Sequence, residues 1–198
     1  MIPKINFRYS WIYDERFKPL WKKKHIKKWG KYPSYKEIKT YIKKIKPIWK
    51  KQENKVLKEL SELTNLEWKE KEIKCYITGR AFPFSDPLTM RIYKNKNFFI
   101  DCLIHELIHV LFIQNTKETN PYFAYIITKK YKNEKFNTRI HIPVHAIHKY
   151  IFLKFFTEKR LKTEIDFCKY SPEYKRSWEI VNSEGYENII KEFRKRIK

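Results

Sequence analysis

Apolar and polar positions along this chain follow two different periods. Ser34-Tyr35-Lys36-Glu37 reads as a capping box that opens a helix. Behind it Ile38, Tyr41, Ile42, Ile45 and Trp49 recur at helical spacing, and Pro47 is expected to kink or interrupt that helix. A second helix, Val56 to Leu66, lines up Val56, Leu57, Leu60, Leu63 and Leu66, so the pair reads as a hairpin or one bent rod. The period then changes. Ile73, Cys75 and Ile77 alternate with Lys74 and Tyr76, which predicts a half-buried strand, and Leu88–Tyr93 predicts a second one after a turn-rich loop. Asn97 is the expected N-cap of the next segment, Phe98–Ile113, whose sequence FFIDCLIHELIHVLFI is apolar on nearly every side and predicts a buried helix. Further helices are expected from Asn120-Pro121, over Ile140–Phe156 after a polar loop at Asn133–Thr138, from Ser171-Pro172-Glu173, and over Tyr186–Ile197. The fold class is α+β, mainly helical, with a small sheet just ahead of the most buried helix.

The chain has 198 residues, 42% of them hydrophobic, which is enough apolar material for a core and argues against global disorder. The expected organisation is a basic N-terminal helical region at 1–71, a core at 72–157 and C-terminal helices at 158–198, in one compact unit. Cys75, Cys102 and Cys168 are too few and too scattered for a disulfide framework and have no CxxC spacing. They fit a reducing, cytoplasmic setting. Residues 1–20 lack the continuous apolar core of a signal peptide, and no uncharged stretch is long enough to predict a membrane span.

The chemistry concentrates in His105-Glu106-Leu107-Ile108-His109, an HExxH pattern. On a helix, positions i and i+4 share a face, so both imidazoles can reach one metal ion while Glu106 stays beside them without ligating. Core histidines satisfied by hydrogen bonds are the plainer explanation. Two imidazoles and a carboxylate inside an otherwise apolar helix are costly without a purpose, which favours the metal.

With its strand, break, HELIH helix and later histidine-bearing helix, the stretch 72–157 resembles the zincin-type metallopeptidases. The resemblance implies a zinc ion (Zn2+), His105 and His109 as ligands and Glu106 as general base. It also implies peptide-bond hydrolysis by a zinc-activated water, and an edge strand on which an extended peptide lies; Leu88–Tyr93 is the candidate. The HExxHxxGxxH branch is excluded, because Phe112 and Asn115 stand where it needs glycine and histidine. For a gluzincin-like glutamate, Glu134 lies in a lysine-rich loop and Glu118 follows too soon. The cysteine loop of peptide deformylases is not present.

A third ligand is better sought in His141-Ile142-Pro143-Val144-His145-Ala146-Ile147-His148, where three histidines at i, i+4 and i+7 form one stripe. His145, in the first helical turn after Pro143, is the preferred ligand. His141, just before the expected helix, is the second choice or an oxyanion donor, and His148 could serve in the same way. Asp101, one turn before His105, is placed either to hold the outer proton of a ligand histidine or to complement the helix dipole. Cys102 reads as small core, with soft ligation as the other use.

Formal net charge is +23, and Phe17–Lys51 alone carries 14 lysines against one glutamate. Trp21, Trp29, Tyr32, Tyr35, Tyr41 and Trp49 are interleaved with them. That pattern suits single-stranded nucleic acid, and it equally describes a helix with an aromatic core face and a solvated lysine face. Steering of an acidic protein substrate and a helix lying on an anionic membrane are further readings. A lysine-rich composition can also arise without any ligand. Two functions from different classes follow: a zinc metallopeptidase acting on peptides or proteins, or a zincin-like module that mainly binds nucleic acid or a protein partner with weak or no catalysis. In a third reading HELIH is coincidental.

Overall fold

The computed structural model describes residues 1–22, 25–27 and 30–197; Lys23, Lys24, Lys28 and Trp29 of the basic segment lie outside the described residues. The chain divides into two compact units, one made of Met1–Lys55 and Glu70–Val110, the other of Val56–Lys69 and Leu111–Lys198.

The first unit is built on a four-stranded sheet in the order β1-β2-β4-β3, with β1 at Lys4–Tyr9, β2 at Glu72–Thr78, β3 at Phe84–Ser85 and β4 at Leu88–Arg91. β1 runs parallel to β2, with Ile5 opposite Ile73 and Phe7 opposite Cys75, and all four are buried. β2 runs parallel to β4, and β3 pairs antiparallel with Leu88 and Thr89. The alternation in 72–78 is thus a strand as expected, but the sheet has two members that periodicity did not announce. β1 carries the same alternation, Ile5 and Phe7 between Lys4, Asn6 and Arg8, in a stretch too short to stand out. β3 displaces the expected edge: at Leu88 and Thr89 the outer side of β4 is already paired, so β3 forms that edge of the sheet.

Helix α1 (Trp11–Phe17) begins at Ser10, whose hydroxyl accepts from the Tyr13 N–H. Helix α2 (Tyr35–Lys50) has the expected capping box and buries Ile38, Ile42, Ile45 and Trp49. It is not interrupted at Pro47, which lies inside it. The bond that proline removes belongs to the carbonyl of exposed Lys43, where water can replace it. The chain turns at Lys51-Gln52 into α3 (Glu53–Thr64). Buried Glu53 accepts from the backbone of Ile5 at 2.9 Å and from the Trp49 indole at 3.0 Å, tying β1 to the end of α2. Phe99, on helix α4 (Lys96–Gln114), packs against Phe7 and Tyr41 with ring centroids 5.9 and 5.6 Å apart. α4 starts two residues earlier than expected, because Asn95 and not Asn97 caps it: the Asn95 side chain accepts from the N–H groups of Asn97 and Phe98. α4 has the length and composition of a membrane-crossing helix. Its Phe99, Ile100, Leu103, Ile104, Leu107 and Ile108 are nevertheless fully buried in the protein.

The second unit is helical. Besides most of α3 and the end of α4, it holds α5 (Thr116–Tyr125), a π-helical turn at Ile126–Lys130, α6 (Phe136–Phe155), α7 (Glu158–Cys168), α8 (Pro172–Glu184) and α9 (Tyr186–Arg196). Phe193 of α9 packs edge-on to Tyr122 of α5 at 4.9 Å, and Trp178 of α8 is buried. Pro121 lies inside α5 and does not open it. The helix begins after Asn115, whose side-chain amide is turned to the carbonyls of Leu111 and Glu67. α6 begins four residues ahead of the expected start, inside the stretch read as a loop, and contains Pro143 in its interior.

Asp14 is the polar anchor of the first unit. Its buried carboxylate accepts from Tyr32 Oη at 2.6 Å, Gly79 N at 2.8 Å and Tyr9 Oη at 3.1 Å. Asp14→Ala leaves the Gly79 N–H buried and unmatched and is expected to cost about 2–3 kcal/mol. Asp14→Asn keeps the acceptor shared by Tyr32 and Gly79 and should cost less. Urea unfolding of the two variants beside the parent checks that order.

Candidate metal centre

α4 is hydrophobic all round, so its polar residues stand out by position as well as by type. His105 is 6% exposed and Asp101, one turn earlier, 4% exposed, whereas Glu106 and His109 are half-buried. The rings of His105 and His109 lie one turn apart on one face, with centroids 5.1 Å apart. The Glu106 carboxylate acts on Cys75 of β2. Burial first, and that negative charge second, hold the Cys75 thiol well above its ordinary value, so it stays neutral. Cys102 faces the Tyr93 phenol and belongs to no ligand group.

Because α6 starts at Phe136, His141, His145 and His148 all lie on it, and all three are buried. Their surroundings differ. His141 Nδ1 lies 2.7 Å from the carbonyl of Asn137. A carbonyl only accepts, so Nδ1 carries the proton and Nε2 keeps the lone pair. Burial pushes the His141 pKa down to about 4, so the ring is neutral at pH 7. His145 Nδ1 lies 2.5 Å from Ser177 Oγ, and that hydroxyl gives its own proton to the carbonyl of Tyr174. The His145 Nδ1 is therefore a donor as well. Its ring stacks on Trp178 of α8, with centroids 4.4 Å apart and planes 11° from parallel. His148 meets the ring of Phe152 edge-on.

Among the described residues, two groups of side chains bring ligand atoms within 4.8 Å of one another. One is His105, His109 and His141; the other is His105, His148 and Glu164. The motif histidines and two of the three later ones are thus brought together, and the buried cluster can hold a metal ion. His145 belongs to neither group. The donor chemistry of the first fits a metal such as zinc: imidazoles only, with His141 neutral and its tautomer fixed by a backbone carbonyl.

The two glutamates considered from the sequence lie elsewhere. Glu134 accepts from Arg176 at 2.8 and 3.1 Å, and Glu118 pairs with Lys69 at 3.3 Å. Glu164 went unnoticed, although its position gave a signal. With Leu161 and Cys168 it forms the buried stripe of α7 at i, i+3 and i+7, an acid where an apolar residue belongs. The Cys168 thiol lies 3.7 Å from its Oε1. Comparison with family models, curated proteins and solved structures finds no match to this chain.

The depressed pKa of His141 has a definite sign. The unfolded chain takes up the proton at about pH 6.5 and the folded one only near 4. The contribution of His141 to stability is therefore complete above pH 6.5 and is lost as the pH falls from 6.5 towards 4. In chelator-treated protein the urea midpoint should drop across that window, and the drop should be smaller in His141→Gln.

Proposed function

We propose that this chain is a zinc-dependent metallopeptidase whose ion is held by His105, His109 and His141, with Glu106 as general base. The observation that carries the reading is the approach of His141 to both histidines of the HExxH helix. It supplies the third neutral imidazole that such a site needs while leaving a coordination position open. The choice of His141 over His145 follows from position, since His141 and not His145 brings a ligand atom within 4.8 Å of those of His105 and His109. His145 is fixed by Ser177 and Trp178, and its place is to lock α6 onto α8 beside the ligand-bearing turn.

Exposure separates the two ligand groups. His105, His148 and Glu164 are all buried, whereas His109 and the adjoining Glu106 are half-buried. Hydrolysis needs water and a substrate at the metal, so the group containing His109 is the one suited to catalysis. In this reading the group of His105, His148 and Glu164 serves His105, since a carboxylate near a ligand imidazole favours one orientation of the ring.

A zinc ion bound there supplies Lewis acidity, which acidifies water and polarises a carbonyl. The chain's own part is proton handling and orientation. The Asn137 carbonyl holds the His141 proton on Nδ1 and so keeps Nε2 for ligation. Glu106 accepts the proton of the attacking water and returns it to the departing amine, and no covalent acyl-enzyme is formed. The half-buried position of its carboxylate suits both transfers, since water reaches it while the surrounding helix stays apolar.

Glu106→Gln tests this directly. The substitution removes the base and no ligand, so hydrolysis of a peptide library should fall by at least about a hundredfold. Zinc measured by mass spectrometry should stay at the parental level. Undiminished hydrolysis by the variant would overturn the reading.

A further inference from the structure

The first unit holds a second concentration of chemistry that peptide hydrolysis does not use. A cavity of about 740 Å³ opens beside the N-terminal end of α2. Among the described residues, Lys31, Arg80, Arg91 and Lys94 line it, and Glu37 is the one acidic residue. Glu37 is committed to the capping box, accepting from the N–H and the hydroxyl of Ser34 at 2.7 Å each. Four cations against one carboxylate give the cavity a net charge of +3. The two guanidiniums feel each other: burial, and then the charge of Arg91, push Arg80 below its ordinary value. Each also rests over an aromatic ring, Arg80 over Trp21 at 5.3 Å and Arg91 over Tyr93 at 4.8 Å. Like charges held together in a concave site are relieved by an anion, and guanidiniums suit the forked geometry of a phosphate.

α2 continues the same charge along its exposed side. Lys36, Lys39, Lys43, Lys46 and Lys50 recur at intervals of three and four residues. They form one flank of the helix over ~21 Å. Lys50 is paired with Glu53, but among the described residues no carboxylate pairs with the other four. The apolar side of α2 is buried through Ile38, Ile42, Ile45 and Trp49, so it has nothing to insert into a lipid surface. The rings at the cavity are engaged within the protein, Trp21 stacked on His25 with Arg80 over it, Tyr32 edge-on to Trp21 with its hydroxyl on Asp14, and Tyr93 under Arg91, so base stacking is not what the site offers.

We propose that this unit binds the phosphate backbone of a nucleic acid strand, seating one phosphate at Arg80 and Arg91 and running others along the lysine flank of α2. Recognition is by charge and reads no sequence. It is independent of the metal centre and would hold whether or not the chain hydrolyses peptides.

The test is fluorescence anisotropy with a labelled 20-nucleotide single strand of mixed sequence, using the full chain over a range of salt concentrations. Log affinity should fall linearly with log salt, with a slope of about −0.7 for each phosphate neutralised. Replacing Lys36, Lys39, Lys43 and Lys46 together by Gln should weaken binding at least tenfold and flatten that slope. These side chains are exposed, so the fold survives, and circular dichroism verifies it. Arg80→Gln with Arg91→Gln should act in the same direction. The decisive control removes the same number of charges elsewhere. Gln at Lys129, Lys132, Lys159 and Lys162 of the second unit should change affinity less than twofold. Equal weakening by that control would show binding by net charge alone and overturn the proposal. Equal competition by polyglutamate, or equal binding to phosphatidylserine vesicles through the same lysines, would overturn it too.

Discussion

Helix α4 has to be core and chemistry at once, and the local structure follows from that constraint. Its apolar residues face protein on almost every side, so Asp101 and His105 on it are withdrawn from water, while Glu106 and His109 are only half-buried. A buried charge or an unmatched polar atom costs more than the modest net gain of an ordinary hydrogen bond. Such groups persist where other polar groups meet them. Here His141 meets the motif histidines, with His148 and Glu164 gathered around His105. The same rule shapes α6, where burial keeps His141 neutral and a backbone carbonyl fixes which nitrogen can ligate.

Residues of one helix with the same sequence cue have different surroundings. α6 carries three histidines on one stripe, and spacing alone makes them equivalent. Their partners break the equivalence, because α8 places Ser177 and Trp178 against His145 and Tyr174 against His141, with ring centroids 4.2 Å apart in the latter pair. The surroundings of each imidazole are therefore set by α8 as much as by α6. No reading of 141–148 in isolation contains that information.

What could be read from the sequence were features set by near neighbours in the chain. The capping box at Ser34 and Glu37, the apolar face of α2, the alternation in β2 and the i, i+4 geometry of His105 and His109 are all local, and all are present. What escaped was fixed by distant partners. β1 is a strand because β2 lies beside it, and β4 loses its edge because Phe84 and Ser85 fold back onto it. Proline does not bound the helices here: Pro47, Pro121 and Pro143 all lie inside them, and at Pro47 and Pro121 the orphaned carbonyl belongs to an exposed lysine. Glu164 was legible in principle, as an acid on an apolar stripe, but only a search for misplaced polarity would have found it.

Metal stoichiometry in single variants tests the identity of the third ligand most directly. After zinc loading and removal of excess metal, the parent and His145→Ala should each retain one zinc per chain. His141→Ala should retain none, with its fold verified by circular dichroism. Loss of zinc in His145→Ala with retention in His141→Ala would contradict the assignment, and a parent that holds no zinc would contradict the metal centre itself.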